Sequence, residues 1–351
     1  QTHEDGKEEL HLARLTDDVL YELPKIVKPG CKISSLSLEG KIVNPNMLAK
    51  LFNTLSAYCQ LEKIRLHQVT LDKITSEIFS KDIRLNPHLV EIELSDCIIL
   101  DVDLKKVISS ILCLDNIRVL GLKSIYFTNK SESLTTLMSG LYHNTSIKAL
   151  SFCGSTFSES GSNQIYDMLK HNKGLEKLFL NKCAMYITQK FVYAVQETKT
   201  LKELWTSGNL GEPDIIKLAD SIERNNTLKY LKTGFADTIN TYALVSFLYK
   251  LQDNHAIENL ELDIRQKIVP SIATALSQCI KKNKSLKVIE LETHKPPHPK
   301  AAVKIAIGLL SNTTLERINI TNSSKGYDIS LGTREEFEAC EHGTRQKITS
   351  M

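Results

Sequence analysis

Two aspartates one residue apart, Asp101 and Asp103, and two histidines flanking Lys295-Pro296-Pro297, His294 and His298, are the side chains whose types and spacing come nearest to chemistry in this chain. Paired carboxylates serve general acid–base work, and two imidazoles on one loop are the beginning of a metal site. Neither reading holds. The aspartates stand just before an apolar-periodic stretch, 104–112, where acidic side chains cap free backbone donors and match the helix dipole. The histidines lack a third ligand nearby, so no metal is expected. Lys281, Lys282, Lys284 and Lys287 form a basic run where a helix ends and a strand begins, and the dipole accounts for the first pair.

The motifs that would carry other chemistry are missing. There is no G-x-x-x-x-G-K-[ST] phosphate loop, no G-x-G-x-x-G, no G-x-S-x-G elbow and no H-E-x-x-H, so no catalytic residue and no cofactor is expected. The 8 cysteines, at 31, 59, 97, 113, 153, 183, 279 and 340, include no C-x-x-C pair and no tight cluster. Free thiols in a reducing, cytoplasmic compartment fit that usage better than zinc or a disulfide framework. Sequons at Asn129, Asn144, Asn225, Asn283, Asn312, Asn319 and Asn322 are read as products of turn architecture, not as glycosylation sites. With 44 Lys+Arg against 41 Asp+Glu the net charge is only +3, so no general attraction to nucleic acid or to an anionic membrane follows. No run approaches the roughly 18 apolar residues of a membrane span. Residues 1–10 are polar and carry no apolar signal segment, although a chain opening on Gln fits a processed or recombinant fragment.

The elements that must position any site come from a repeat. An aliphatic, two residues, another aliphatic, one residue and a third inward position recur eleven times, opening at Ile33, Leu61, Leu89, Ile117, Ile147, Leu175, Leu201, Leu228, Ile257, Leu286 and Leu315. Self-similarity at that period marks a solenoid. The aliphatics alternate as in a half-buried strand, and apolar residues three and four apart follow in 104–112, 134–142, 213–222, 241–251, 268–280 and 301–310. Strand and helix alternate, so the strands are expected to stack in a parallel sheet with helices outside, the sheet on the inner, concave side. Seven repeats place Asn three residues before the opening aliphatic (Asn86, Asn144, Asn172, Asn225, Asn254, Asn283 and Asn312), where Asn is expected to end the helix in the left-handed conformation.

The Leu-x-x-Leu-x-Leu pattern with its period near 28 residues and one helix per unit resembles the ribonuclease-inhibitor-like class of leucine-rich repeats over residues 33–320. The resemblance implies a curved α/β horseshoe of about eleven repeats, and a buried Asn or Cys in the turn after each strand. Cys97, Cys183 and Asn209 stand at that place, whereas Val69, Ile125, Ala236, Arg265 and His294 depart from it and imply irregular turns on one edge. Residues 1–32 are expected to be a helical cap, with the helix over 10–26; 33–320 form the solenoid, and 321–351 form a C-terminal cap or disordered tail.

Side chains at the third, fifth and seventh places of each repeat point away from the helices. Phe179, Trp205 and Tyr230 fall there on three successive strands, about 5 Å per step, with Lys232 beside them and Phe235 just beyond. Glu261, Asp263, Glu290 and Glu292 make an acidic band next to them, and Lys63, Arg65 and His67 a basic rung nearer the start. Aromatics rimmed by charge resemble an interface core. Thr206 and Thr233 stand where aliphatics should face inward, a local rule broken beside the same patch. The chain therefore reads as a non-catalytic scaffold that docks a protein of basic or mixed charge. The alternatives are a regulator of an enzyme, such as a GTPase activator using Lys63, Arg65 and Asn181, or the sensor region of a larger multidomain protein. Nothing in the pattern sets an oligomeric state.

Overall fold

Every apolar phrase becomes a strand that buries its aliphatics under helices. The structure is a computed structural model describing residues 8–13, 16–27, 31–40, 45–128, 130–206, 210–237, 239–295, 298–322 and 327–333. Two compact units divide the chain, Gln1–Tyr186 and Ile187–Met351. In the first, the strands Glu8–Leu12, Ile33–Glu39, Lys63–His67, Glu91–Ser95, Val119–Lys123, Ala149–Ser151 and Lys177–Phe179 lie side by side in chain order, all parallel. In the second, Glu203–Trp205, Tyr230–Phe235, Asn259–Ile264, Val288–Thr293 and Arg317–Asn322 do the same. A last strand, Tyr327–Thr333, closes that ladder antiparallel.

One helix connects each parallel strand of a unit to the next. Asp101–Leu112 and Glu132–His143 are examples in the first unit, Glu212–Arg224, Thr241–Gln252 and Pro270–Lys282 in the second. The inward aliphatics, such as Leu61, Ile64 and Leu66 in one repeat and Ile257, Leu260 and Leu262 in another, are at most 1% exposed. Each contributes on the order of 1.5–3 kcal/mol of apolar burial. Proline sits in the first turn of Glu212–Arg224, Pro270–Lys282 and Pro299–Leu310, where its missing donor has no helical partner. Each unit is thus a stretch of α/β leucine-rich-repeat solenoid with one face of its sheet under helices and the other open.

The start differs from a purely helical cap. Glu8–Leu12 is a strand that pairs with Ile33–Glu39, Leu10 opposite Leu36, and the helix occupies only Asp17–Ile26. Pairing satisfies the outer edge of the first repeat strand, which a helix alone would leave with unpaired backbone groups. At the other end, Tyr327–Thr333 takes the corresponding edge position, while residues 323–326 and 334–351 lie outside the described residues.

The asparagines before each strand do not adopt the expected left-handed conformation. Asn144, Asn172, Asn225 and Asn283 have φ between −64° and −74° and ψ between 129° and 136°, an extended backbone. Their side chains explain the choice. Asn283 Nδ2 donates to the carbonyls of Leu251 (2.9 Å) and Asn254 (2.8 Å) in the preceding repeat, while Oδ1 accepts from the N–H groups of Ser285 and Leu286, each at 2.8 Å. Asn254 repeats the pattern onto Ile222 and Asn225, and Asn312 onto Ile280 and Asn283. In the first unit Asn172 does the same onto Leu141 and Asn144. All four hydrogen-bonding capacities of a side-chain amide are used. Asn225, Asn254 and Asn283 are at most 3% exposed, so their burial is tolerable only because the bonds are complete.

The turns after the strands separate the two units. In the first, the eighth residue of six successive repeats has positive φ: Gly40, Gln68, Asp96, Ser124, Gly154 and Lys182. Cys97 and Cys183 follow two of these, as the resemblance implied: Cys183 Sγ donates to Phe152 O at 3.0 Å, Cys97 Sγ to Leu66 O at 3.4 Å. Burial pushes these thiols up, to about 12 for Cys183 and about 11 for Cys97, so both are inert turn residues. In the second unit the strands Tyr230–Phe235, Asn259–Ile264 and Val288–Thr293 stay extended through the eighth residue, which buries Phe235, Ile264 and Thr293. The departures at Ala236, Arg265 and His294 mark these longer strands; Asn209 lies outside the described residues.

Replacing Asn283 by Ala is expected to destabilise the unit Ile187–Met351 by about 2–4 kcal/mol, because buried donors and acceptors lose their partner. Lys282→Ala, at an exposed position next to it, should cost under about 0.5 kcal/mol. Urea unfolding of the two variants measures this, and equal costs would remove the ladder from its structural role.

Candidate functional site

The open face of the second unit carries a cluster set by strand register. Parallel pairing places Trp205 opposite Lys232 and Lys232 opposite Glu261, with Glu203 opposite Tyr230 one step earlier. The rings of Trp205 and Tyr230 are 6.2 Å apart between centroids, tilted by 31°, a geometry that diagonal neighbours on adjacent strands reach. Lys232 Nζ sits 4.9 Å from the Trp205 ring centroid and pairs with Glu261. Tyr230 donates its hydroxyl to Glu261 Oε2 at 2.6 Å, and Trp205 Nε1 donates to Glu203 Oε1 at 2.9 Å. Each polar end is held, so the two rings are fixed half-buried on the sheet.

Electrostatics around Tyr230 are negative. Burial first, then the hydrogen bond and charge of Glu261 and the fields of Glu203 and Glu290, raise its phenol above the ordinary tyrosine value. Tyr230 therefore remains a protonated donor. Beyond it opens a cavity of about 390 Å³, lined among others by Tyr230, Glu261, Glu290, Glu292 and Arg317. Three carboxylates thus face one guanidinium. Arg317 Nη2 lies 3.1 Å from Glu290 Oε1, to which Asn319 Nδ2 also donates at 3.0 Å. Glu292 is exposed and makes no ion pair among the described residues.

The acidic band is therefore mostly compensated from within. Besides Glu261 and Glu290, Asp263 accepts from Arg265 Nε at 3.4 Å and has His294 Nε2 3.2 Å away. Glu203, Arg317 and Asn319 complete the cluster; they stand at third and fifth places of their repeats, and the opposite strand's charge was the signal that would have singled them out. Phe235 does not belong to the open face. The strand continues through it, alternation turns its ring under the helices, and it is 0% exposed with its centroid 5.7 Å from that of Phe247.

In the first unit, Phe179 ends the strand Lys177–Phe179 half-buried on the open face. The basic rung is not a free patch. Arg65 is bound to Glu91 at 2.8 Å and approached by Glu9 at 3.6 Å, Lys63 lies 3.8 Å from Glu91, and His67 3.6 Å from Asp96. Asn181 accepts from Cys153 Sγ at 2.7 Å.

The nearest approaches to chemistry prove structural. Asp101 opens its own helix and caps the next repeat's helix, accepting from Ser131 Oγ (2.6 Å), Ser133 Oγ (2.5 Å) and Glu132 N (2.8 Å). Burial pushes its carboxyl up, but these donors outweigh that and hold it below the usual range. Asp103 is 3% exposed, 3.6 Å from Lys106. His298 Nδ1 accepts from Lys300 N at 3.1 Å, capping Pro299–Leu310. Among the described residues no three His, Cys, Asp or Glu side chains converge as metal ligands, and no helix is long and apolar enough to cross a membrane.

Thr206 and Thr233 satisfy one another beneath the aromatic pair: Thr206 Oγ1 donates to Thr233 Oγ1 at 2.7 Å, both at most 3% exposed. A single Thr206→Val or Thr233→Val change should cost about 1–2 kcal/mol by stranding the other hydroxyl, whereas the double change should be close to neutral. Additive losses in thermal unfolding would contradict that pairing.

No family model matches this chain, and no curated protein matches it. Among solved structures, a chain of the crystal structure of the TLR13–ssRNA13 complex is similar to it at 14% identity and a TM-score of 0.42. That likeness covers 83% of this chain, which spans 40% of the length of the matched one.

Proposed function

We propose that this chain is a non-catalytic recognition scaffold, built of leucine-rich repeats of the ribonuclease-inhibitor-like class, that takes a protein partner on the open sheet face of residues 187–351. The observation that carries this reading is the fixed pair Trp205 and Tyr230, of which Tyr230 lines the cavity together with Glu261, Glu290 and Glu292. Rigid aromatic rings bury much area at low entropic cost, and interface hot spots are enriched in Trp and Tyr. The uncompensated charge at the cavity is negative, which fits a Lys or Arg side chain of the partner reaching Glu292 while its neighbours cover the rings. One helix per repeat and the period near 28 residues support the class. The 7 described cysteines are free thiols, which fits a reducing, cytoplasmic setting. The pairing of Arg65 with Glu91 leaves an enzyme-regulating role through the basic rung without an available guanidinium.

Trp205 is the only tryptophan of the chain, so its emission reports directly on this face. Peptides selected from a random display library against the whole chain are expected to carry Lys or Arg beside apolar residues and to shift that emission on binding. Trp205→Ala with Tyr230→Ala should weaken the selected peptides at least about 30-fold, equivalent to roughly 2 kcal/mol. Glu290→Gln with Glu292→Gln should weaken them less and flatten their salt dependence. Selected peptides that bind the aromatic double variant as well as they bind the original chain would defeat the assignment.

A further inference from the structure

Cys31 and Cys59 are paired by place. Cys31 precedes the opening Ile33 by two residues and Cys59 precedes Leu61 by two, so they hold the same position in successive repeats. The strands they lead into are parallel neighbours with Ser35 opposite Lys63; Cys31 stands just before the first, and Cys59, its N–H bonded to Leu55 O at 2.7 Å, ends the helix that leads into the second. Adjacent strands lie about 4.8 Å apart, inside the roughly 4.4–6.8 Å window of Cα separations that a disulfide spans. The side chains agree. Cys31 Sγ is 3.5 Å from the carbonyl oxygen of Tyr58, the residue joined to Cys59. Of the other described cysteines, Cys113, Cys153 and Cys279 each hold a repeat position of their own, and Cys97 and Cys183, which share one, are separated by three repeats.

We propose that Cys31 and Cys59 form a redox-modification site, which a hydroperoxide converts from two thiols to a disulfide across the first two repeats. Cys31 is half-exposed and Cys59 is 8% exposed, so the oxidant reaches Cys31. Its thiolate attacks one peroxide oxygen, the O–O bond breaks, the remaining oxygen leaves as an alcohol or water after taking a proton, and Cys31 becomes a sulfenic acid. The sulfur of Cys59 then attacks the Cys31 sulfur; the S–O bond breaks, and the hydroxyl leaves as water with the Cys59 proton. Two thiols and one hydroperoxide give one disulfide, one alcohol or water, and one water. Burial, and then the neighbouring Cys31 thiol, push the Cys59 thiol up to about 12, which keeps Cys59 from meeting the oxidant first. The bridge would join the segment before Ile33–Glu39 to the end of the helix Pro45–Tyr58. It is independent of the recognition face, which lies in the other unit.

The test treats the whole chain, folded, with hydrogen peroxide, alkylates the remaining thiols and maps proteolytic peptides without reduction. A linked peptide containing Cys31 and Cys59 is expected, two hydrogens lighter than its parts, released by dithiothreitol, and absent from Cys31→Ser and Cys59→Ser. Cys113→Ser, which removes an exposed thiol, should leave it unchanged. The unfolding midpoint of the first unit should rise by about 5 °C on oxidation. Cys31 carried to sulfinic acid with no link, or links from Cys31 to Cys113 as abundant as those to Cys59, would overturn the assignment; both readouts come from the original chain and do not depend on the variants folding.

Discussion

The repeats opening at Leu175, Leu228, Ile257 and Leu286 are each joined to the one before by a buried side-chain amide, and their strand register depends on that joint. A parallel strand three to six residues long has few backbone bonds with which to fix its neighbour. The asparagine before it adds two bonds back to the preceding helix end and two forward to its own strand, so that helix C-terminus and strand start are tied at one point. Asn254, Asn283 and Asn312 hand this contact from repeat to repeat in the second unit. The aliphatic core supplies the free energy of burial, but it would accept small slips; the amide accepts almost none, because a displaced buried carbonyl has no water to turn to.

Register in turn decides the charge pattern of the open face. Lys232 opposite Glu261 and Arg65 beside Glu91 are cross-strand pairs, formed by residues a repeat apart in sequence. Such pairs on a half-exposed surface are worth little as stability. Their effect is on presentation. They hold Trp205 and Tyr230 in one arrangement and remove most of the charge that the individual residues would show, leaving Glu292 as the carboxylate at the cavity with no ion pair among the described residues.

Much of this was legible in the sequence, because the repeat period and the inward aliphatics depend only on local spacing. All eleven opening residues lead into strands, and the helices over 104–112, 241–251 and 301–310 lie within the observed ones. The site was legible in outline only. Trp205, Tyr230, Lys232 and Glu261 share the open face as alternation requires, but Phe235 does not, since its placement depended on how far the strand continues. Asn was assigned a left-handed backbone from its frequency at helix ends; its actual role rests on partners about 30 residues away, which a local window does not contain. The same distance hid the capping of Glu132–His143 by Asp101 and the neutralisation of Arg65.

The positive φ values of Gln68, Asp96, Ser124 and Lys182 bear on how such an array can lengthen. A residue with a side chain held there costs on the order of 1 kcal/mol, and the chain leaves the strand in a different direction from the extended exits after Tyr230–Phe235 and Asn259–Ile264. A repeat copied by tandem duplication fits beside one that exits the same way, so its helix finds a ready groove. A repeat gained by the first unit would need Gly, or a residue that bears the left-handed conformation, at its eighth place, whereas one gained beside Tyr230–Phe235 would need a side chain that buries there.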